Sequence, residues 1–199
     1  QQGKLGLLAG KAEFLRLGEF DDVDLAMMTH TSSNTDEGKL TVSSTNNGMI
    51  AKFIQFQGRA AHAGGFPHRG INALNAATLA LNNIHAQRET FQDKDTVRVH
   101  PIITMGGASV NSVPADVRME TFVRGNNLDA IIDADTKVDR SLRAGAMAVG
   151  ATVNITTLPG YMPMNNDDNL MSLYRSNAAF VVGEENVGKA AHRTGSTDM

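Results

Sequence analysis

Two hydrophobic rhythms alternate along the 199-residue chain. Apolar residues on alternate positions predict strands, and apolar residues three or four apart predict helices. Residues 49–57 read as a strand. Residues 71–86 read as a helix with Ile71, Leu74, Leu81 and Ile84 on one face. Residues 96–105 alternate again, with Val97, Val99, Ile103 and Met105 on one side. So do residues 117–124, where Val117, Met119, Thr121 and Val123 oppose Arg118, Glu120, Phe122 and Arg124. Residues 128–149 predict a second helix with its stripe through Leu128, Ile131, Ile132, Val138, Leu142 and Val149. Ala151, Val153, Ile155 and Thr157 make a last strand. The order β-α-β-β-α-β is that of a ferredoxin-like unit, with two helices on one face of an antiparallel sheet.

The flanks are patterned differently. Residues 5–17 predict a short helix stopped by Gly18. Residues 24–30, DLAMMTH, predict a buried strand that delivers His30 at its C-terminal end. Residues 31–47 are polar and turn-rich, as a linker or hairpin would be. After Pro159-Gly160, residues 169–180 predict a helix, and 188–199 a Gly-rich polar tail. This organisation divides the chain into an inserted unit at 48–159 and two pieces of another domain at 1–47 and 160–199. The opening without Met and the stop after a turn-like Gly-Ser point to a piece of a longer protein.

Composition narrows the chemistry. Hydrophobic residues make up 41% and charged residues 20%, within the range of globular proteins. The net charge of −3 gives no basic footprint for nucleic acid or anionic membrane. No apolar window is long enough to span a bilayer, and no signal peptide opens the chain. There is no cysteine, so disulfides, thiolate metal sites and a cysteine nucleophile are excluded. This absence is compatible with a cytoplasmic location. Two Tyr and no Trp leave little for base stacking. Phosphate-loop, dinucleotide and serine-hydrolase motifs are absent.

Four residues stand out as candidates. His30 lies where ligands gather, outside a strand's carboxyl end, although a histidine merely hydrogen-bonded there fits the same pattern. His62 sits in AAHAGGFPHRGINAL, among small residues that allow close approach. Pro67 and Gly70 stiffen that loop into the following helix; the alternative is a flexible loop with an incidental histidine. Asn111 and Arg124 fall in GGASVNSVPADVRMETFVRG. An amide offers donor and acceptor, and a guanidinium offers a fork that fits a carboxylate. A turn-forming Asn and a solvated Arg are the plainer readings. In TGSTDM, Ser196, Thr197 or Asp198 could cap a helix.

Together GRAAHAGGFPHRGINAL, GGASVNSVPADVRMETFVRG, FDDVDLAMMTH and TGSTDM, by their order and spacing along the chain, resemble the aminoacylase and carboxypeptidase family of dimetal amidohydrolases, which includes aminobenzoyl-glutamate hydrolases. The resemblance implies an α/β fold, in which a partial zinc-peptidase-like α/β/α catalytic domain is interrupted by a ferredoxin-like lid that forms a homodimer. It implies hydrolysis of amide bonds in N-acyl amino acids or small peptides. The cofactor would be two divalent ions, zinc or else manganese or cobalt. His30 would be a metal ligand, and His62 would stabilise the oxyanion in the partner's active site. Asn111 and Arg124 would hold the substrate's carboxylate end, and Asp198 would orient groups near the metals. The family's other metal ligands and its general-base Glu have no counterpart here, so this polypeptide alone would be inactive. A non-catalytic dimerisation or small-ligand module is the competing reading.

Overall fold

The computed structural model describes residues 10–33 and 35–198. Two sheets organise them. The larger has the order β3-β5-β2-β6, with β4 also on β5. Its strands are β2 (Gly48–Gln57), β3 (Arg98–Val99), β4 (Ile102–Met105), β5 (Asp116–Gly125) and β6 (Thr152–Tyr161). The helices α2 (Ala73–Gln87) and α3 (Leu128–Val149) supply the crossovers, which completes the predicted ferredoxin-like order. The smaller sheet has the order β7-β1-β8, with β1 (Leu40–Asn46) parallel to β8 (Val187–Arg193) and antiparallel to β7 (Met164–Asn165). The helix α4 (Asp168–Val182) packs on β1, and α1 (Gly10–Leu17) precedes both sheets.

The core lies between the larger sheet and its helices. Ile54 and Phe56 of β2, Val117, Met119 and Val123 of β5, and Val138 and Leu142 of α3 are all buried. Helix α2 contributes a face of alanines, Ala73, Ala76, Ala77 and Ala80, capped at its start by Asn72, whose side chain accepts from the Leu74 and Asn75 N–H groups. This small face admits α3 closely. A Cβ on Gly145 would lie 2.6 Å from the Ala76 carbonyl and 2.8 Å from the Ala80 Cβ.

Several expectations change. Segment 24–30 is not a strand, and Leu25, Met27 and Met28 are exposed. An apolar run becomes a strand only where a neighbour takes its N–H and C=O groups, and none does so among the described residues. The expected linker at 31–47 contains β1, and the expected polar tail contains β8. Each ladders onto the other despite its polar sequence. Segment 96–105 is broken at Pro101, which cannot donate to a ladder. On α3, Leu128 and Ile132 face solvent, while Ala130, Ala134 and Gly145 are buried, with Gly145 against the alanine face of α2. Pro159-Gly160 does not end β6. It forms an irregularity opposite Met49 and Ile50, which an edge strand tolerates. Residues 5–9 of the expected first helix lie outside the described residues; its stop at Gly18 is observed, with φ of +80°.

Lys52 breaks the pattern of β2. It points at α3 with a side chain 0% exposed, and its Nζ lies 2.5 Å from Asp135 and 2.6 Å from Asp139, with Thr157 Oγ1 at 2.9 Å. The two carboxylates reach water, so Lys52→Ala should cost roughly 3 kcal/mol, at the low end for a broken buried pair. Lys52→Met, with both aspartates replaced by Asn, should recover most of that. Urea unfolding followed by circular dichroism measures both.

Candidate functional site

The His62 loop is rigid by construction. Its neck is closed by a reciprocal pair of bonds, Arg59 N–H to the Ile71 carbonyl and Ile71 N–H to the Arg59 carbonyl, each 2.9 Å. Pro67, His68 and Arg69 form one 3-10 turn at its far side. The Arg69 guanidinium covers the Phe66 ring at 4.5 Å. The loop is also stitched to the connection before β5, where Ala63 N–H donates to the Asn111 carbonyl and Val113 N–H to the Ala61 carbonyl, both at 2.9 Å. His62 pairs with Ser112 in an isolated bridge. His62 and Asn111 therefore sit together, both exposed.

Backbone and side-chain neighbours fix which atoms these residues can offer. Gly65 N–H donates to His62 Nδ1 at 2.9 Å. The neutral ring then carries its proton on Nε2, which is left to donate outward. Neither Gly64 nor Gly65 has a positive φ. A Cβ on either would stand within 3.5 Å of the imidazole, so these glycines keep the ring uncovered rather than bend the chain. Ser109 Oγ donates to Asn111 Oδ1, which leaves the Asn111 amide NH2 as its free donor. The corner thus presents two outward donors, as a developing oxyanion requires.

Arg124 lies elsewhere. It is near the end of β5, whereas Asn111 precedes its start. From Asp116 to Arg124 the strand advances about 26 Å at roughly 3.3 Å per residue. Arg124 stacks on Phe122 at 5.2 Å and donates from Nη1 to Ser196 Oγ at 2.8 Å. Among the described residues no helix follows Ser196; it comes after β8 and receives this bond. Two residues on, Asp198 accepts from Lys11 Nζ at 2.6 Å, and that bond holds its carboxyl below the usual range. The chain therefore joins His62 to Asn111, and Arg124 to Ser196, but not one pair to the other.

His30 is exposed, with Nδ1 2.6 Å from the Thr31 carbonyl. A carbonyl only accepts, so Nδ1 donates and Nε2 keeps a lone pair suited to a metal. Among the described residues no three His, Asp or Glu side chains cluster to hold an ion. The residues present do not make a metal centre; His30 offers one nitrogen. His85 and His100 are exposed and join neither group. Sequence reasoning passed over Ser109, Lys11 and the partner role of Ser196, because each acts through a bond to a residue distant in sequence or to a loop neighbour.

The profile of the M20 peptidase dimerisation domain matches residues 44–147. The chain belongs to the M20 peptidase family. It is similar to the Xaa-Arg dipeptidase of Mus musculus, 30% identical over 194 residues, covering 96% of this chain and 43% of that protein. It is also similar to a p-aminobenzoyl-glutamate hydrolase polypeptide of Escherichia coli K12, 30% identical over 167 residues, covering 82% of this chain and 34% of the relative. The solved aminobenzoyl-glutamate utilization protein of Klebsiella pneumoniae superposes with a TM-score of 0.67 at 25% identity, covering 92% of this chain and 47% of that one. A Staphylococcus aureus tripeptidase superposes at 0.62 with 20% identity, over 78% of this chain and 40% of the other, a likeness of fold. The chain spans less than half the length of these relatives. Among the described residues no helix is long and apolar enough to cross a membrane.

The Lys11 bond has a pH consequence. Because the folded value of Asp198 is depressed, the attachment is present above the ordinary carboxylate range and is lost as pH falls through the lowered value. In Lys11→Ala the Asp198 carboxyl should titrate higher than in the parent, closer to the ordinary carboxylate range. Carbon-detected NMR titration of both proteins reads this directly.

Proposed function

We propose that the chain carries the lid and part of the catalytic domain of an amidohydrolase whose reaction centre is shared between two protomers. The observation that supports this reading is the separation of His62 and Asn111 from Arg124 and Ser196 along β5. Residues that serve one substrate but stand a strand's length apart can meet only if a second copy brings opposite ends together. In this reading the lid is residues 48–159, and residues 1–47 and 160–199 belong to the catalytic domain.

The substrate is an amide of an N-acyl amino acid or small peptide, the class to which the relatives' names belong. Arg124 holds its carboxylate within one protomer, where Ser196 steadies the guanidinium. His62 of the other protomer donates from Nε2 to the oxyanion as the carbonyl becomes tetrahedral. Asn111, expected with Arg124 at the carboxylate, stands beside His62 instead, and its amide donates to the same oxyanion. A positioned donor at that charge is worth about 3–4 kcal/mol. His30 supplies one ligand to a centre of two divalent ions, zinc in our reading, with manganese or cobalt as substitutes. The remaining ligands come from outside residues 10–198, so this chain alone hydrolyses nothing. The protein acts as a cytoplasmic homodimer. A non-catalytic dimerisation or ligand-binding module would keep the shared geometry without activity.

In the full-length protein, His62→Ala should lower kcat on N-acyl amino acids about a hundred- to a thousandfold; a fall of less than about tenfold sinks the oxyanion role. Mixing inactive His62→Ala and Arg124→Ala protomers is the sharper experiment. Each heterodimer then has one intact composite site, and random reassociation should restore about a quarter of wild-type activity. No restoration at all would mean that each protomer uses its own His62.

A further inference from the structure

A polar cluster around the buried Asn47 joins the two sheets, and none of the roles above uses it. Asn47, the residue between β1 and β2, is fully buried. Its Nδ2 donates to the Thr96 carbonyl at 3.0 Å, which fixes the direction of the amide. Its Oδ1 then accepts from Thr96 Oγ1 at 2.7 Å and from His192 Nε2 at 2.9 Å. Nε2 also lies 3.2 Å from Thr96 Oγ1, and Nδ1 lies 2.8 Å from Thr45 Oγ1. An amide oxygen only accepts, so Nε2 must carry a hydrogen, and the Thr45 hydroxyl can rotate to suit Nδ1.

The cluster's members come from different parts of the fold. Thr45 and His192 are on β1 and β8 of the smaller sheet. Thr96 belongs to the loop before β3 of the larger sheet, and Asn47 connects the two. Thr96 is the one non-glycine with positive φ among the described residues, at +48°. A β-branched residue resists that conformation unless its surroundings hold it there. Here the hold is visible: the carbonyl and hydroxyl of Thr96 both engage Asn47. The chain then runs from His192 through Arg193 to Ser196, the partner of Arg124.

We propose that Asn47, Thr96 and His192 form a clamp that fixes the angle between the lid sheet and the three-stranded sheet, and that His192 thereby positions Ser196 against Arg124. The clamp's contribution to that half-site rests on the composite-site reading. Its control of the angle does not. An imidazole that donates from one nitrogen across a domain junction acts as a pin. It is oriented on one side by the hydroxyl of its own sheet and on the other by an amide that the opposite loop holds in place.

The absence of cysteine makes the test direct. Asn82→Cys on α2 and Ser176→Cys on α4, both exposed positions, take spin labels in the otherwise intact 199-residue chain, diluted with unlabelled protein. Pulsed electron paramagnetic resonance then reads the distance between lid and smaller sheet. The parent should give one narrow distribution. His192→Gln, whose amide NH2 replaces the Nε2 donor, should keep it. His192→Leu should broaden it and add a second distance, and should also weaken the Arg124 to Ser196 bond, seen as a shifted Arg124 Nε–H resonance. Thr96→Gly decides the matter if His192→Leu fails to fold, because glycine accepts the positive φ while deleting the hydroxyl. It should broaden the distribution without loss of thermal stability. A narrow, unshifted distribution in whichever of these two variants decides, or equal broadening in His192→Gln and His192→Leu, overturns the clamp. These distances need no hydrolytic activity, so the clamp and the shared reaction centre can fail separately.

Discussion

The ladder between β2 and β5 is the constraint from which the rest follows. It pairs all ten residues of β5, from Asp116 opposite Gln57 to Gly125 opposite Gly48, without an irregularity. A strand paired along its whole length on one side does not slip, because a shift of one residue would turn its buried Val117, Met119 and Val123 outward. The distance between its ends is therefore fixed. One end carries the corner with His62 and Asn111, and the other carries Arg124 beside the segment after β8. On the proposed reading a site that uses both ends is assembled between two molecules; the family's dimerisation domain is the part of the chain that contains the ladder.

At these candidate residues the proton positions are set by neighbours. Gly65 N–H gives His62 an outward Nε2 donor, and the Thr31 carbonyl leaves His30 an outward Nε2 lone pair. The same ring type is thus prepared for opposite tasks by a bond to one backbone group. Ser109 does the equivalent for Asn111 by occupying its oxygen. The Lys11 ammonium, bonded to Asp198, holds that carboxyl below its ordinary range. The loops devote little of their sequence to this: a glycine, a serine and a carbonyl at the right offset.

Much of this was legible in the sequence where side-chain pattern and backbone demand agree. The bounds of α3 coincide with the predicted 128–149, because Asn127 caps its start and Gly150, at φ +74°, ends it. The ferredoxin-like order was legible for the same reason, and so was the unusual character of the corner around His62. What the pattern hid depends on partners. Strands β1 and β8 are polar, and they exist because each supplies the other's hydrogen bonds. Segment 24–30 has the apolar content of a strand and no ladder. Lys52 sits on a buried face because two aspartates on α3 meet it. The separation of Asn111 from Arg124 was also out of reach, since both lie in one short stretch, and only the straight ladder shows how far apart that stretch carries them.

Gly145 has a bearing on the corner that its place in the sequence conceals. Helix α2 begins at the foot of the His62 loop, where Ala73 N–H is held by the Pro114 carbonyl. Its alanine face rests directly on the bare backbone of α3 at Gly145. Any side chain there would act as a shim under a lever, tilting α2 about its middle and displacing the imidazole at its near end. The height at which the His62 corner stands above its own sheet is in that sense gauged by a single hydrogen atom on the far helix.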